Sequence, residues 1–419
     1  MTDRFERGKR VVITGMGVVC ALGLDTAEVW EGVLQGRSGV GMVTWFDVSQ
    51  YPTQIAGFVK DFDPALYMNP REARRMDRFS QFAVAAASQA MRQAGLDLAQ
   101  EDPTRVGVEI GSAIGGIGVV EEQSVILKEK GVRRVNATAV PMFLTSMAAC
   151  QVGIQFGLKG PTASPVAACA TGVVAVGEAM WRLRLGQADV ILAGGAESAD
   201  TPLVLAAFSR MGALSTRNDS PKRACRPFDA DRDGTVMGEG SVVFVLETLE
   251  HARARHAHIL AEVVGYGLTG DAFHIAAPDP EGDGATRSMR AALQSAGLQP
   301  ADIHYIAAHG TGTPLNDASE TVAIKKAFGE WAYKIPISSN KPVVGHMLGA
   351  AGAFSTLVLV HALRDNLVPP TINLERPDPA CDLDYVPGDA RQVHVDRCMA
   401  NAFGFGGQNA SLILARFKE

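Results

Sequence analysis

The chain has 419 residues, is 47% hydrophobic and carries a formal net charge of −6, with acidic and basic residues mixed along its length. A chain of this kind buries a large core, so a disordered protein and a small disulfide-held domain are excluded, and nucleic acid is not expected as a partner. The six cysteines form no CxxC pair, which disfavours a structural zinc site and favours reduced thiols in the cytoplasm.

The first half of the chain predicts alternating strands and helices. After a polar N-terminus without the apolar stretch of a signal peptide, RVVITGMG predicts a buried strand that ends in a glycine turn. Further strands are predicted at RVGVEIGSA, ASPVAAC, ADVILAGGAE and GSVVFVLE, with a helix over 79–94. This alternation is typical of an α/β sheet covered on both faces. No window is apolar for long enough to predict insertion into a membrane.

Two motifs of the first half have competing interpretations. Arg71, Arg74, Arg75 and Arg78 form the densest basic cluster, and by default such a cluster is a solvated helix surface. The run GMGVVC resembles the glycine fingerprint of dinucleotide-binding enzymes. Its third glycine position is Cys20, however, and no clear acidic residue ends a second strand at the required distance. We therefore reject a dinucleotide site.

The second half repeats the pattern of the first. Strands are predicted at LAEVVGYG, IHYIAAHG, KIPISSN, RCMANAF and NASLILARF. In each half one strand leads into a helix rich in small residues, AACATGVVAVGEAM in the first and VVGHMLGAAGAFSTLVLVHAL in the second, and such helices pack against backbone deep inside a protein. We predict two similar halves, 1–256 and 257–419, that join near ARARHAHI and pack closely together.

Cys169 is the candidate nucleophile. It ends the predicted strand ASPVAAC and precedes the first small-residue helix, so it lies at a strand-to-helix elbow. The N-terminus of a helix favours a thiolate and lowers its pKa, and its backbone N–H groups can stabilise an oxyanion. Alone, the residue is equally well explained as a small buried hydrophobic side chain.

Two histidines of the second half strengthen the assignment. His309 follows a predicted strand, and His346 precedes the second small-residue helix, with Lys341 five residues before it. Two neutral imidazoles can donate hydrogen bonds to one carbonyl oxygen and can move a proton near pH 7. A metal site is disfavoured, because no carboxylate lies at HxxE-type spacing and Lys341 would repel a cation.

Other polar and aromatic residues accompany these motifs. Thr311 and Thr313 offer hydroxyls to an amide-bearing substrate arm, although they could equally stabilise a turn. Glu320 could orient Lys341 by ion pairing. The glycine-rich run NAFGFGGQNAS places Phe403 and Phe405 where their rings could wall or gate a pocket, with a plain tight turn as the alternative.

Taken in order, the motifs AACATG, GALSTRND, RPFDADRDG, HGTGTP, SSNKPVVGHMLGAAGA and NAFGFGG make the chain resemble a known family. It is similar to the elongating β-ketoacyl-acyl-carrier-protein synthases of the thiolase superfamily, above all those of type II. The resemblance covers nearly the whole chain. It implies a thiolase-like α/β fold in which two similar halves pack as αβαβα layers.

The resemblance also implies a reaction. Cys169 would accept an acyl chain from acyl-carrier protein, with an oxyanion hole made by the backbone N–H groups of Cys169 and Phe403. His309 and His346 would promote decarboxylation of malonyl-carrier protein, and the resulting carbanion would attack the acyl-cysteine to give a 3-oxoacyl-carrier protein. No metal or redox cofactor is implied, because both substrates are carried on phosphopantetheine and loss of carbon dioxide drives bond formation.

Further roles follow from the same resemblance. Lys341 and Glu320 would be the charged supports of the site, and Phe403 would be the gating aromatic. Thr311 and Thr313 would contact the phosphopantetheine arm, and the substrate would be bound by Ile114, Phe208 and Phe405. An acidic carrier protein would dock on Arg71, Arg74 and Arg75. A homodimer is also implied.

Departures from the family pattern leave alternatives open. AACATG replaces the usual TACTSG and SNKPVVGH the usual STKSMTGH, and both keep the catalytic groups. Ala139 replaces a phenylalanine at the pocket floor, and Gly212 replaces a docking arginine, so a ketosynthase of a polyketide or polyene pathway is an alternative. A coenzyme A thiolase is disfavoured because NAFGFGGQN has no second cysteine. A non-catalytic chain-length factor is disfavoured by Cys169 itself.

Overall fold

The computed structural model describes residues 9–419. Fifteen strands are present in this range. They are β1 Val11–Cys20, β2 Val40–Met42, β3 Ile55–Gly57, β4 Val106–Gly111, β5 Thr162–Ala163, β6 Val190–Glu197, β7 Met237–Gly238, β8 Gly240–Thr248, β9 Ala261–Gly270, β10 Tyr305–Ala307, β11 Ile337–Ser338, β12 Leu367–Val368, β13 Arg391–Gln392, β14 Arg397–Gly404 and β15 Gln408–Ala415.

Thirteen α-helices lie in the same range. They are α1 Thr26–Leu34, α2 Pro70–Ala73, α3 Arg78–Ala94, α4 Ile117–Lys130, α5 Ala139–Phe143, α6 Met147–Phe156, α7 Thr171–Arg184, α8 Pro202–Arg210, α9 Leu249–Ala254, α10 Asp283–Ala296, α11 Pro314–Phe328, α12 Lys341–Val344 and α13 Ala351–Asp365. No helix among the described residues combines the length and the apolar character needed to cross a membrane.

A ten-stranded sheet runs through both halves in the order β11-β10-β14-β15-β9-β1-β8-β6-β4-β5. Outward from its centre, the first half contributes β1, β8, β6, β4 and β5, and the second half contributes β9, β15, β14, β10 and β11. The two series correspond position by position, so the predicted repetition of one α/β plan is confirmed. The halves meet where β1 pairs antiparallel with β9, with Val11 opposite Val263.

The core lies in layers on either side of this sheet. In β8, Val242, Phe244 and Leu246 belong to a central cluster that also contains residues of α7 and α13. Val243 and Val245 point to the opposite face, where α3 packs. A third cluster joins α10 and α11 to the outer face of the second half. Helices therefore cover both outer faces and also fill the space between the two half-sheets, which is the αβαβα arrangement of a thiolase-like fold.

The glycines of β1 allow α3 to lie directly on the sheet. A Cβ atom on Gly15 would lie 2.2 Å from the carbonyl oxygen of Ala90, and one on Gly17 would lie 2.0 Å from that of Ala86. The sequence predicted a turn at these glycines. The structure corrects this prediction, because β1 continues through them to Cys20. Close helix packing accounts for the GxG motif without a nucleotide.

The predicted strand ASPVAAC is also corrected. Only Thr162–Ala163 forms a strand, and the chain then runs without regular structure to a single 3-10 turn, Ala168–Ala170, before α7 begins. Pro165 lacks an N–H group and cannot continue a strand ladder. A second 3-10 turn, Leu348–Ala350, precedes α13 in the same way. The elbow before each small-residue helix is thus a repeated feature of the two halves.

Candidate active site

Cys169 lies in the first of these 3-10 turns and is 6% exposed. The preceding residue, Ala168, has a φ of +47°, a conformation that a side-chain-bearing residue rarely adopts. The turn packs tightly against the end of β14. A Cβ atom on Gly404 would lie 2.6 Å from the carbonyl oxygen of Ala167 and 3.2 Å from the backbone nitrogen of Cys169. The nucleophile of the first half is therefore held by backbone of the second half.

The thiol belongs to an apolar cluster, which we call the Cys169 cluster. Its members include Ile114, Val204, Leu205, Phe208 and Leu348. The sequence-predicted pocket residues Ile114 and Phe208 are thus brought together with Cys169, from segments that follow β4 and form α8. An apolar chain attached to the sulfur would find an apolar environment here.

His309 and His346 also come together. His309 follows β10 and His346 follows α12, each is 4% exposed, and their ring centroids are 5.5 Å apart with an interplanar angle of 82°. Burial and the charge of Lys341 lower the pKa of both imidazoles well below the usual value. Both rings are therefore neutral near pH 7, and each has one N–H group to donate.

Lys341 and Glu320 support the His309 backbone from two directions. The Lys341 ammonium donates a hydrogen bond to the carbonyl oxygen of His309. The Glu320 carboxylate accepts hydrogen bonds from the backbone N–H groups of His309 at 2.9 Å and Gly310 at 2.7 Å. Among the described residues, Glu320 and Lys341 form no direct ion pair, so the expected pairing is replaced by contacts through the histidine backbone. Burial raises the pKa of Glu320 to about 7.

The thiol pKa differs from the expectation. Burial raises the pKa of Cys169 to about 11, and this effect outweighs the opposing influence of the Lys341 charge and of two backbone N–H groups. The sequence predicted a lowered value from the helix N-terminus. Removal of the thiolate from water is the larger effect in this enclosed turn. The free thiol is therefore protonated at neutral pH.

The second backbone donor is also corrected. The backbone N–H groups that lower the thiol pKa are those of Cys169 itself and of Phe405, not of Phe403. The Phe405 ring stacks on Phe208 of the Cys169 cluster at a centroid distance of 5.8 Å. The Phe403 ring belongs to the outer cluster of the second half and lies 5.6 Å from the ring of His309. The geometry therefore favours Phe405 as the gating aromatic.

The remaining predicted residues lie at the edge of the site or on the surface. The hydroxyls of Thr311 and Thr313 are 2.9 Å apart, and Thr313 also caps α11 by accepting a hydrogen bond from Asn316, so the turn-stabilising alternative is present. Arg71, Arg74 and Arg75 are exposed on and just after α2. Arg78 is separate from them, because it forms an ion pair with the buried Glu239 at 2.9 Å.

Two buried carboxylates of the site were not predicted. Asp317 accepts hydrogen bonds from the backbone of Phe228 at 2.8 Å and Gly312 at 3.2 Å, which fixes the loop after His309. Glu197 ends β6 and bonds to the backbone on both sides of the Cys169 cluster. The available signal was an acidic residue at the end of the apolar strand ADVILAGGAE, because a carboxylate that follows a buried strand needs hydrogen-bond donors nearby.

Comparison with known families agrees with this geometry. Residues 8–252 match the model of the β-ketoacyl synthase N-terminal domain, and residues 260–375 match that of its C-terminal domain. The chain belongs to the β-ketoacyl synthase family. Cys169 lies in the region that matches the N-terminal domain, and His309 and His346 lie in the region that matches the C-terminal domain.

Relatives of this chain cover nearly its whole length. It is 49% identical to 3-oxoacyl-acyl-carrier-protein synthase 2 of Coxiella burnetii over 97% of this chain and 99% of that one. The enzyme of the same name from a Synechocystis species is 48% identical over 98% of this chain and 99% of that one.

Solved structures give the same result for the fold. A β-ketoacyl synthase from Burkholderia phymatum superposes with a TM-score of 0.91 at 38% identity, covering 98% of this chain and all of that one. This chain also matches a chain from the complex of a type II polyketide acyl-carrier protein with its ketosynthase. The TM-score is 0.91 at 34% identity, over 98% of this chain and 100% of the matched chain.

Proposed function

We propose that this chain is an elongating condensing enzyme of fatty-acid synthesis, which joins an acyl chain to a malonyl unit with both carried on acyl-carrier protein. One observation carries the proposal: the buried Lys341 ammonium of the second half acts both on two neutral imidazoles that lie 5.5 Å apart and on the Cys169 thiol of the first half, which belongs to an apolar cluster. The full-length relatives named 3-oxoacyl-acyl-carrier-protein synthase 2 support it. The polyketide ketosynthases share the fold at lower identity and fit less well.

The first half-reaction loads the acyl chain on Cys169. The sulfur attacks the thioester carbonyl, its proton passes to an imidazole, and the backbone N–H groups of Cys169 and Phe405 donate to the oxyanion. The phosphopantetheine thiolate leaves and takes up a proton. The acyl chain then occupies the Cys169 cluster, with the Phe405 ring against Phe208 controlling access to it.

The second half-reaction forms the carbon–carbon bond. N–H groups of His309 and His346 donate to the thioester oxygen of malonyl-carrier protein and stabilise the enolate that forms as carbon dioxide leaves. The enolate carbon attacks the acyl thioester, Cys169 is released as a thiolate, and a 3-oxoacyl-carrier protein is produced. The proposed chemistry needs no metal or redox cofactor, because decarboxylation supplies the electron pair of the new bond.

The proposal extends to partners and location. Arg71, Arg74 and Arg75 are exposed together and would dock an acidic carrier protein. The edge strand β5 and the exposed apolar side chains of the adjoining helices would pair two copies as a homodimer. A reducing cytoplasm would keep Cys169 active, in keeping with six unpaired cysteines.

Intact-mass spectrometry after incubation with acyl-carrier protein tests this function. The wild-type chain should gain one acyl group, and peptide mapping should place it on Cys169. Cys169→Ala should gain none, whereas Cys169→Gln should retain decarboxylation of malonyl-carrier protein. Cys150→Ala is the matched control, since this thiol is partly exposed outside the Cys169 cluster. An acyl group on a different cysteine would contradict the proposal.

A further inference from the structure

Glu197 is a fully buried carboxylate that the reaction scheme does not use. It is 0% exposed at the end of β6, and no Arg, Lys or His side chain in the described part of the chain forms an ion pair with it. A buried carboxylate without a counter-charge is costly to the fold unless hydrogen bonds satisfy its oxygens. The donors that satisfy Glu197 therefore indicate what the residue is for.

These donors come from two separate segments of the chain. One oxygen accepts hydrogen bonds from the Ser112 hydroxyl at 2.8 Å and the Ile114 backbone at 3.3 Å. The other accepts from the backbone N–H groups of Ala113 at 2.8 Å and Gly349 at 3.0 Å. A single carboxylate thus joins the segment after β4 to the 3-10 turn before α13.

Each segment carries a different part of the reaction. The first holds Ile114 of the Cys169 cluster, where the acyl chain would lie. The second follows His346 by three residues and also carries Leu348 of the same cluster. The contact is tight, because a Cβ atom on Gly349 would lie 2.7 Å from a Glu197 oxygen and 2.6 Å from the Ala113 nitrogen. A movement of either segment is transmitted to the other through Glu197.

We propose that Glu197 is a positioning residue that fixes the wall of the acyl pocket relative to the turn that follows His346. The inference rests on the proposed function and adds a connection between its two half-reactions. A long acyl chain presses on Ile114, and the shared carboxylate keeps the histidine pair in register with the loaded chain. The negative charge also acts on the nucleophile, since it raises the pKa of the Cys169 thiol.

Two substitutions separate the two sides of this connection. In Glu197→Gln the amide oxygen can still accept from Ala113 and Gly349, while the NH₂ group donates to the Ser112 hydroxyl and leaves the Ile114 N–H unpaired. The contacts to the pocket segment after β4 are weakened, and the contact to the turn after His346 is kept. Glu197→Ala removes both sides. Glu109→Gln is the matched control, because Glu109 is a buried carboxylate of the neighbouring strand β4 that pairs with Arg182 at 2.7 Å, outside the site.

Acyl transfer from carrier proteins bearing a short and a long chain, and decarboxylation of malonyl-carrier protein, should be measured for each variant. We expect Glu197→Ala to lower long-chain transfer and decarboxylation by roughly 10- to 100-fold. Glu197→Gln should restore decarboxylation to within a few-fold of wild type, but not the long-to-short transfer ratio. Its Cys169 alkylation profile should also shift to lower pH. Glu109→Gln should leave the ratio and the profile unchanged.

The inference is wrong if Glu197→Gln keeps the wild-type long-to-short ratio and the wild-type alkylation profile. This outcome decides the question even if Glu197→Ala fails to fold. A wild-type chain that neither acylates Cys169 nor decarboxylates malonyl-carrier protein would instead overturn the proposed function. The two failures are distinguishable, because the inference is judged only by ratios to an active wild type.

Discussion

At the scale of single residues, one buried ammonium influences the charge states of both imidazoles and of the thiol. Lys341 is 2% exposed, and burial lowers its pKa. Burial lowers the pKa values of His309 and His346, and the Lys341 ammonium lowers them further, which keeps both rings neutral. The same charge lowers the thiol pKa of Cys169 against the effect of burial. One cation therefore favours a neutral state in two groups and an anionic state in a third.

Lys341→Ala should make Cys169 less reactive. Without the ammonium, the thiol pKa rises further, so the profile of alkylation by iodoacetamide should move to higher pH. Decarboxylation should fall by roughly 10- to 100-fold, because the His309 carbonyl loses its donor. Lys326→Ala is the control, since this lysine pairs with Glu281 at the surface. An unchanged alkylation profile would contradict the assigned role.

The sequence indicated the candidate reacting groups, whose roles stay predictions, but it did not indicate their surroundings. Cys169, His309 and His346 lie in motifs whose neighbours are specific enough to identify them. The assignment of the backbone donor to Phe405 instead of Phe403 could not be made from the sequence, because it depends on where β14 ends. Phe403 is still within the strand, opposite Asn409, whereas Phe405 lies in the turn beyond it and can aim its N–H group at the sulfur.

At the scale of elements, the two central helices depend on glycine where they cross. A Cβ atom on Gly172 of α7 would lie 2.5 Å from the Ala353 nitrogen of α13, and one on Gly352 would lie 2.8 Å from the Val173 nitrogen. The small residues were predicted from composition. The early end of β5 was not predicted, although Pro165 within the predicted strand was a local signal against a continuous ladder.

Gly172→Ala should lower the free energy of unfolding by roughly 1–3 kcal/mol, because the helices have to move apart. Acylation of Cys169 should fall as well, since α7 begins two residues after it. Chemical denaturation and intact-mass assays measure the two effects. Gly153→Ala is the control within α6, where the nearest atom to the new Cβ is 3.7 Å away. That variant should be as stable as wild type or slightly more stable.

A charge network ties β1, β8 and α9 together on the side away from the site. Hydrogen bonds from Arg255, His251 and Thr14 outweigh burial and lower the pKa of Glu247 to about 2. His251 contacts Glu247 at 2.6 Å and Glu101 at 2.9 Å, and chiefly the bond to Glu247 raises its pKa above 6.5. The Glu247 carboxylate, whose pKa is lowered, stabilises the fold above about pH 4.5 and loses this effect as pH falls towards 2.

The stabilisation by His251, whose pKa is raised, has the opposite pH dependence. Its contribution is complete below pH 6.5 and is lost as pH rises through the folded-state value. His251→Gln should therefore lower the free energy of unfolding by roughly 1–3 kcal/mol in mildly acidic buffer and by less in alkaline buffer. Urea unfolding over a pH series measures this, with the exposed His258→Gln as control. Equal losses at every pH would count against the charge network.

At the scale of the whole molecule, exposed apolar side chains lie on elements linked to the edge strand β5. Ile154 of α6, which contacts β5, is 72% exposed, Val140 of α5, which contacts α6, is 59% exposed, and Val166 just after β5 is 51% exposed. Such a surface beside a free sheet edge is typical of an interface between subunits. The sequence predicted a dimer only by resemblance, since exposure of these residues depends on the complete fold.

Ile154→Lys should shift the chain from dimer to monomer, because a charge replaces an apolar contact at the proposed interface. Light scattering coupled to gel filtration measures the mass directly. Leu185→Lys is the matched control, because Leu185 is 71% exposed and follows α7 rather than belonging to α5, α6 or the segment next to β5. A monomeric wild type, or equal behaviour of the two variants, would contradict the interface.

The place of β15 has a consequence for how the chain is made. This last strand lies between β14 and β9, so it alone bridges the three outer strands of the second half to the remainder of the sheet. A nascent chain that has emerged from the ribosome only as far as β14 already contains Cys169, His309 and His346, yet the sheet that carries them is still divided. Assembly of the active centre therefore waits until β15 has left the ribosome.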